Sequence, residues 1–195
     1  MIKITHDMAR LPIWLNKVSE QAIKKATVRS MKRTITSVQT KSAKDLRGNG
    51  LIDMESKEIK TRMKLSSNYK AALEDLFAIL TFRAKGEGLH KFFARPVIRN
   101  KRIAAQVRVF GKTYIPGYNM AFMGKNTTGN KKLVFLRKSN PDGSFVGRTP
   151  IRKLWGPSIS QLIEMTGMLT KLLNLAQTRY ETEYLRNFNF YMEKI

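Results

Sequence analysis

The chain has 195 residues, 42% of them hydrophobic, which suffices for one domain with a core of its own. Lys and Arg number 37 against 14 Asp and Glu, a formal net charge of +23, and there is no cysteine. Disulfides and thiolate zinc sites are thereby excluded, no stretch reaches the roughly 18 uninterrupted apolar residues of a membrane span, and the charge asks for an acidic partner: nucleic acid or an acidic protein assembly before anionic lipid.

Residues 1 to 10 hold no apolar run bounded by a cleavage site, so no signal peptide is expected. From Leu11 to Arg47 the pattern is helical: Leu11, Leu15, Val18, Ala22 and Ala26 step by three and four, and Met31, Ile35 and Val38 resume the stripe. Pro12 suits a first helical turn, and Gly48-Asn49-Gly50 is a stop signal. Between Arg10 and Arg47 stand ten basic residues and two acids, Glu20 and Asp45. With so few carboxylates to form i,i+4 pairs, the polar face of this helix is a basic strip suited to an external acidic partner.

Leu51 to Met63 reads as a short helix that Asp53 could cap, with Ile52, Ile59 and Met63 as a partial apolar side. Leu76 to Phe82 (LFAILTF) is a continuous apolar run of the length of a buried strand. Lys85-Gly86-Glu87-Gly88 is a turn from which Leu89 to Ala94 can pair back as a hairpin. Ile103 to Phe110 alternates, with Ile103, Ala105, Val107 and Val109 opposite Gln106 and Arg108. Further strands are expected over Tyr114 to Met123, interrupted at Pro116-Gly117, over Leu133 to Arg137, and over Thr149 to Trp155. After Gly156-Pro157-Ser158 a long helix carries the stripe Ile159, Leu162, Ile163, Thr166, Leu169, Leu173, Ala176, Tyr180 and Tyr184, with Gly167 a weak point.

Consecutive strands joined by short turns pair antiparallel. The expected fold class is therefore α+β, an antiparallel sheet flanked by a long N-terminal and a long C-terminal helix. The expected organisation is a single domain over residues 1–195, with a helical N-terminal region (1–67), a β core (68–156) and a C-terminal helix (157–195).

Sites for chemistry are absent from this pattern. His6 and His90 have no Asp, Glu or Cys at ligand spacing, so no metal is expected. Gly86-Glu87-Gly88 opens like a dinucleotide fingerprint, but the third glycine and the helix are missing. The closest acids, Glu55 with Glu58 and Glu74 with Asp75, are scattered away from the acid-free block between Glu87 and Asp142, which holds twelve Lys and Arg. A nuclease would gather carboxylates where the polyanion binds. No catalytic residue and no cofactor is expected. Phe92, Phe93, Tyr114 and Tyr118 lie among basic residues, where exposed rings could stack bases or buried rings fill the core.

Within the basic block the densest cluster is Arg95, Arg99, Lys101, Arg102 and Arg108, expected to meet either acidic residues of a neighbouring protein or passing DNA. Trp155 is either a core anchor or an interface residue. Tyr180, Tyr184 and Phe188, in an aromatic segment reaching Tyr191, either dock on a neighbour or fold back on the first helix. Arg148 to Ser158 (RTPIRKLWGPS) reads as a constrained crossing: Pro150 and Pro157 fix φ, Gly156 permits an angle that alanine would strain, and Ser158 caps the last helix.

The stretch Tyr114 to Ile163, YIPGYNMAFMGKNTTGNKKLVFLRKSNPDGSFVGRTPIRKLWGPSISQLI, resembles the signature of the minor tail protein Z family of tailed bacteriophages. The matching positions are Pro116, Gly117, Ala121 and Phe122; Gly129; Val134, Phe135 and Arg137; Arg148, Pro150, Ile151 and Lys153; then Gly156, Pro157 and Ser158. The lysine-rich first helix and the aromatic segment after Thr178 depart from the family pattern. The resemblance implies a structural virion protein without catalysis, a tail completion component at the head-proximal end where tail meets neck. It implies a homo-oligomeric ring whose partners are other tail and neck proteins (tail terminator, tail tube or connector rings), with proximity to genomic DNA and no membrane. It implies residence in the virion after assembly in the host cytoplasm. The alternative from the residues alone is a nucleic-acid-binding protein that grips phosphate through a basic sheet and helix.

Overall fold

The computed structural model describes residues 2–5, 20–99, 102–116, 121–125, 132–137 and 151–193. In chain order these form β1 (Ile2–Thr5), α1 (Glu20–Gly48), α2 (Ser56–Thr61), β2 (Met63–Asn68), β3 (Phe77–Phe82), β4 (Arg95–Arg99), β5 (Arg102–Val109), β6 (Lys112–Tyr114), β7 (Ala121–Lys125), β8 (Lys132–Arg137), β9 (Ile151–Lys153), α3 (Ile159–Met165) and α4 (Met168–Met192). The fold is α+β, with an N-terminal helix, antiparallel sheets and a C-terminal helical region. The strands form three sheets of three, ordered β1-β3-β2, β4-β5-β6 and β7-β8-β9, where the sequence suggested one.

The chain divides into two compact units. The first comprises Met1–Lys44, Ser56–Arg83 and Gly167–Ile195; the second comprises Asp45–Glu55 and Ala84–Thr166.

In the first unit the apolar run forms β3, whose Leu80 pairs with Ile2 on one side and Leu65 on the other. Both edges of β3 are therefore taken, and Leu89 to Ala94 cannot pair back on it. That segment instead begins with a 3-10 turn at Leu89–Lys91. Met63, read as the end of a helix, starts β2, and α2 shrinks to six residues with Asp53 outside it. Only Met63 of β2 is buried, so its strand identity comes from its ladder to β3 and not from its own pattern.

From Ala22 onward the stripe on α1 is the core stripe; Leu11, Leu15 and Val18 lie outside the described residues. Ala22, Ala26, Met31, Ile35 and Val38 are buried. Thr27, Ser30, Thr34 and Ser42 share the interior, and the hydroxyls of Ser30 and Ser42 donate back to the carbonyls of Ala26 and Val38, each at 2.7 Å. Back-bonding of this kind satisfies a buried hydroxyl inside a helix.

The long C-terminal helix is two helices. Gly167 adopts φ +67° and ψ 12°, the left-handed geometry that ends a helix and that glycine reaches without a Cβ penalty. The hydroxyl of Thr166 turns back onto the Leu162 carbonyl just before it. The break shifts the buried stripe: Ile159, Leu162 and Ile163 are interior in α3, but in α4 the interior apolar residues are Met168, Leu172, Ala176 and Phe188, while Leu173 is exposed.

In the second unit β5 forms the middle of its sheet, and its Ala105, Val107 and Val109 are buried as their alternation foretold. Ile103 departs from it: at the turn end of the β4–β5 hairpin it is 69% exposed, opposite Ile98 at 83%.

Candidate interaction surfaces

On α1, residues 32, 36, 40 and 44 and residues 33, 37 and 41 recur at i,i+4, which places them along one side of the helix. They are Lys32, Thr36, Thr40 and Lys44, and Arg33, Ser37 and Lys41. On α4, Arg179, Glu183 and Arg186 recur at i, i+4 and i+7. Together these ten side chains line a groove of about 730 Å³ in the first unit, with six cations, three hydroxyls, one carboxylate and no apolar side chain.

The carboxylate organises the cations. Glu183 is 3% exposed; its Oε2 accepts from Arg33 at 2.9 Å and forms an ion pair with Arg186 at 3.0 Å, while Oε1 forms an ion pair with Arg179 at 3.0 Å. A buried carboxylate is retained at low cost only when such charged donors surround it. Toward the other end of α1, Gln21, Lys24, Lys25, Val28, Arg29 and Lys32 line a second hollow of about 510 Å³ together with Tyr69 and Tyr191. The Lys32 ammonium sits 5.0 Å from the Tyr69 ring centre, and the Arg29 guanidinium lies 5.5 Å from that of Phe190. The basic strip seen in the sequence is thus a continuous feature of α1. Arg179 and Arg186 complete it from a helix about 150 residues away, which no local pattern could reveal.

The aromatic segment folds back on the first helix. Tyr180, Tyr184 and Phe188 make a ladder along α4, with ring centres 6.0 and 5.8 Å apart. Phe188 is buried and the two tyrosines are half-buried. Burial, and next to it the Tyr184 phenol, pushes the Tyr180 hydroxyl well above the ordinary tyrosine range.

In the second unit β4 and β5 carry the basic cluster. Arg95 stands opposite Gln106 and donates from Nε to its Oε1 at 2.8 Å. Arg99 pairs with Arg102 in the ladder, Arg95 and Arg108 are exposed, and Lys101 lies outside the described residues.

The GPS motif is tied into the turn that resembled a nucleotide fingerprint. The Gly156 N–H donates to the Glu87 carbonyl at 2.7 Å, the Glu87 N–H to the Pro157 carbonyl at 3.3 Å, and the Leu89 N–H to the Leu154 carbonyl at 3.1 Å. Glu87 is buried and its carboxylate meets the Lys91 ammonium at 2.9 Å. Glycine at 156 is required by crowding and not by a left-handed angle: a Cβ there would lie 2.6 Å from Cε2 of the buried Phe92 and 3.0 Å from Cδ2 of Leu89. Ser158 is the N-cap of α3 in a full capping box, its Oγ accepting from the Gln161 N–H at 3.2 Å while Gln161 Oε1 accepts from the Ser158 N–H at 2.9 Å. Trp155 is on the surface, 53% exposed, with the Lys153 and Lys85 ammonium groups 4.2 and 5.8 Å from its ring centre. Pro116 is buried; Gly117, Arg148 and Pro150 lie outside the described residues.

Among the described residues no three His, Cys, Asp or Glu gather to hold a metal ion, and no helix is long and apolar enough to cross a membrane. No curated protein and no solved structure matches the chain. A family model, that of the prophage minor tail protein Z, matches residues 13–173. That match covers α1, every strand from β2 to β9 and the break at Gly167. The chain belongs to the prophage minor tail protein Z family and is a structural protein of the phage tail.

Proposed function

We propose that this chain is a tail completion protein, acting late in assembly at the head-proximal end of the tail and making it competent to join a filled head. It does so as a ring of identical copies, without catalysis. The family match over residues 13–173 supports this reading. The charge supports it as well: a chain at +23 is poorly suited to meeting only itself and well suited to acidic faces of neighbouring tail and neck proteins. The β4–β5 cluster of Arg95, Arg99, Lys101, Arg102 and Arg108 is the docking edge in this reading, and the exposed ring of Trp155 is an aromatic anchor.

The experiment has two arms. An epitope-tagged copy is located in intact particles by immunoelectron microscopy, with label expected at the head–tail junction; label distributed along the tube or at the distal tip overturns the assignment. Arg99, Lys101 and Arg102 are then changed together to Glu. Docking through this edge requires tail completion to stop. Complete particles in normal number that fail at DNA ejection would instead assign the edge to the lumen.

A further inference from the structure

The α1–α4 groove lies in the first unit, apart in sequence from the β4–β5 cluster, and it sets hydroxyls between its cations around one buried carboxylate. This groove has Lys32, Arg33, Lys41, Lys44, Arg179 and Arg186, the hydroxyls of Thr36, Ser37 and Thr40, and Glu183 beneath them. Guanidinium, ammonium and hydroxyl groups are the side chains that contact phosphate and sugar in nucleic-acid complexes.

We propose that this groove binds the phosphodiester backbone of duplex DNA without reading its sequence. Two further observations carry the assignment. First, the three arginines are fixed in advance. Each guanidinium reaches Glu183 within 3.0 Å. A guanidinium carries five N–H donors, so pairing with one carboxylate holds it in place without exhausting it. One carboxylate among six cations leaves a strong excess of positive charge facing the groove. Second, the cationic row has the length of a backbone contact. Lys32 to Lys44 spans about 18 Å of helix, the rise of about five base pairs. The contact assigned to this row is with phosphate and sugar, the partners that position a protein on a duplex.

The test uses the full-length protein and a fluorescent duplex of about 20 base pairs, with dissociation constants measured across a salt series. Thermal melts of every variant establish that the fold is intact. The exposed pair Lys41 and Lys44 is changed to Gln, leaving the arginine–glutamate cluster untouched, and Arg95 and Arg108 are changed to Gln as a basic control in the other unit. Each phosphate that the protein no longer neutralises reduces the log–log salt slope by about one. The expected result is a slope smaller by about two for K41Q/K44Q and weaker binding to duplexes of any sequence. A slope unchanged by K41Q/K44Q overturns the proposal, whatever the control does. So does competition by poly-L-glutamate as effective as that of unlabelled DNA at equal charge, which would assign the groove to an acidic protein. These readouts need no tails, so failure here leaves the head-proximal assignment standing, and the reverse also holds.

Discussion

The side-chain amide of Asn187 donates to the hydroxyl of Ser30 at 2.9 Å across 157 residues of sequence, with both groups buried between α4 and α1. Each partner is also tied to its own helix: Asn187 donates to the Glu183 carbonyl at 2.7 Å, and Ser30 to the Ala26 carbonyl at 2.7 Å. One turn away, Arg33 meets Glu183. The pairs 30 with 187 and 33 with 183 run in opposite directions along the two helices, which fixes their antiparallel register.

Replacing Asn187 by Ala leaves a cavity and removes a buried donor pair, and should cost about 1–3 kcal/mol. Ser30→Ala should cost less, because Asn187 keeps its bond to the Glu183 carbonyl. A double-mutant cycle read by chemical denaturation should show coupling of about 1 kcal/mol. Strict additivity would mean that the two side chains do not act on each other in solution.

Gly156→Ala should destabilise the second unit by about 1–3 kcal/mol through overpacking against Phe92 and Leu89. The paired variant Gly156→Ala with Phe92→Leu should recover some of that loss. If crowding is the cause, relieving the ring must help; if the double variant is no better than the sum of the two single changes, another cause is at work.

Gly167 and Gly48 make an internal comparison. A Cβ at either meets no atom within 4 Å, but only Gly167 has a left-handed φ, +67°. Gly167→Ala should therefore cost about 1–2 kcal/mol of backbone strain alone. Gly48→Ala should be neutral or gain up to about 1 kcal/mol through the unfolded chain. Equal melting temperatures for the two variants would show that the angle at 167 costs alanine nothing.

The phenol of Tyr180 is held neutral by burial first and by Tyr184 second, so it ionises above the value of 10.0 it has in the unfolded chain. A group whose pKa is raised on folding contributes its stability in full below the unfolded value. That contribution is lost as pH climbs above about 10. Ultraviolet titration should show the Tyr180 signal lagging behind that of an exposed tyrosine and arriving with alkaline unfolding. In Tyr180→Phe the last-titrating component should vanish, while Tyr69, Tyr114 and Tyr184, also raised by burial, still lag less far. If all six tyrosines of the intact fold titrate together near the ordinary value of about 10, the phenol is not held neutral by the fold.

Ser158→Ala should cost about 1 kcal/mol by removing the cap of α3, and Ser158→Asp should restore most of it, because Asp also accepts from the N3 amide and favours a helix N-terminus. Circular dichroism melts of the three proteins decide it; an Asp variant as weak as Ala would show that the box geometry, and not the accepting oxygen, matters.

What the sequence alone determined was written in short-range signals. The Ser158 cap, the β5 alternation, the Leu76–Phe82 run and the buried stripe of α1 are each set by residues within a few positions of one another, because helix and strand periods and caps are local physics. The family was legible for a related reason: turns and crossings such as Arg148 to Ser158 demand particular residues at fixed spacing. The tertiary structure decided the rest. No local pattern singles out Glu183, which becomes the centre of a three-arginine cluster only when α4 is laid against α1. Gly156 reads as a backbone angle that alanine would strain, and becomes a contact surface only when Phe92 arrives. β2 has no strand pattern of its own, and pairs because β3 offers a free edge. Gly167 reads as a weak helical position, and acts as a stop through its left-handed backbone angle. For Glu183 and Gly156 the deciding partner lies far along the chain, and its effect is packing or charge at contact distance, which a linear pattern does not encode.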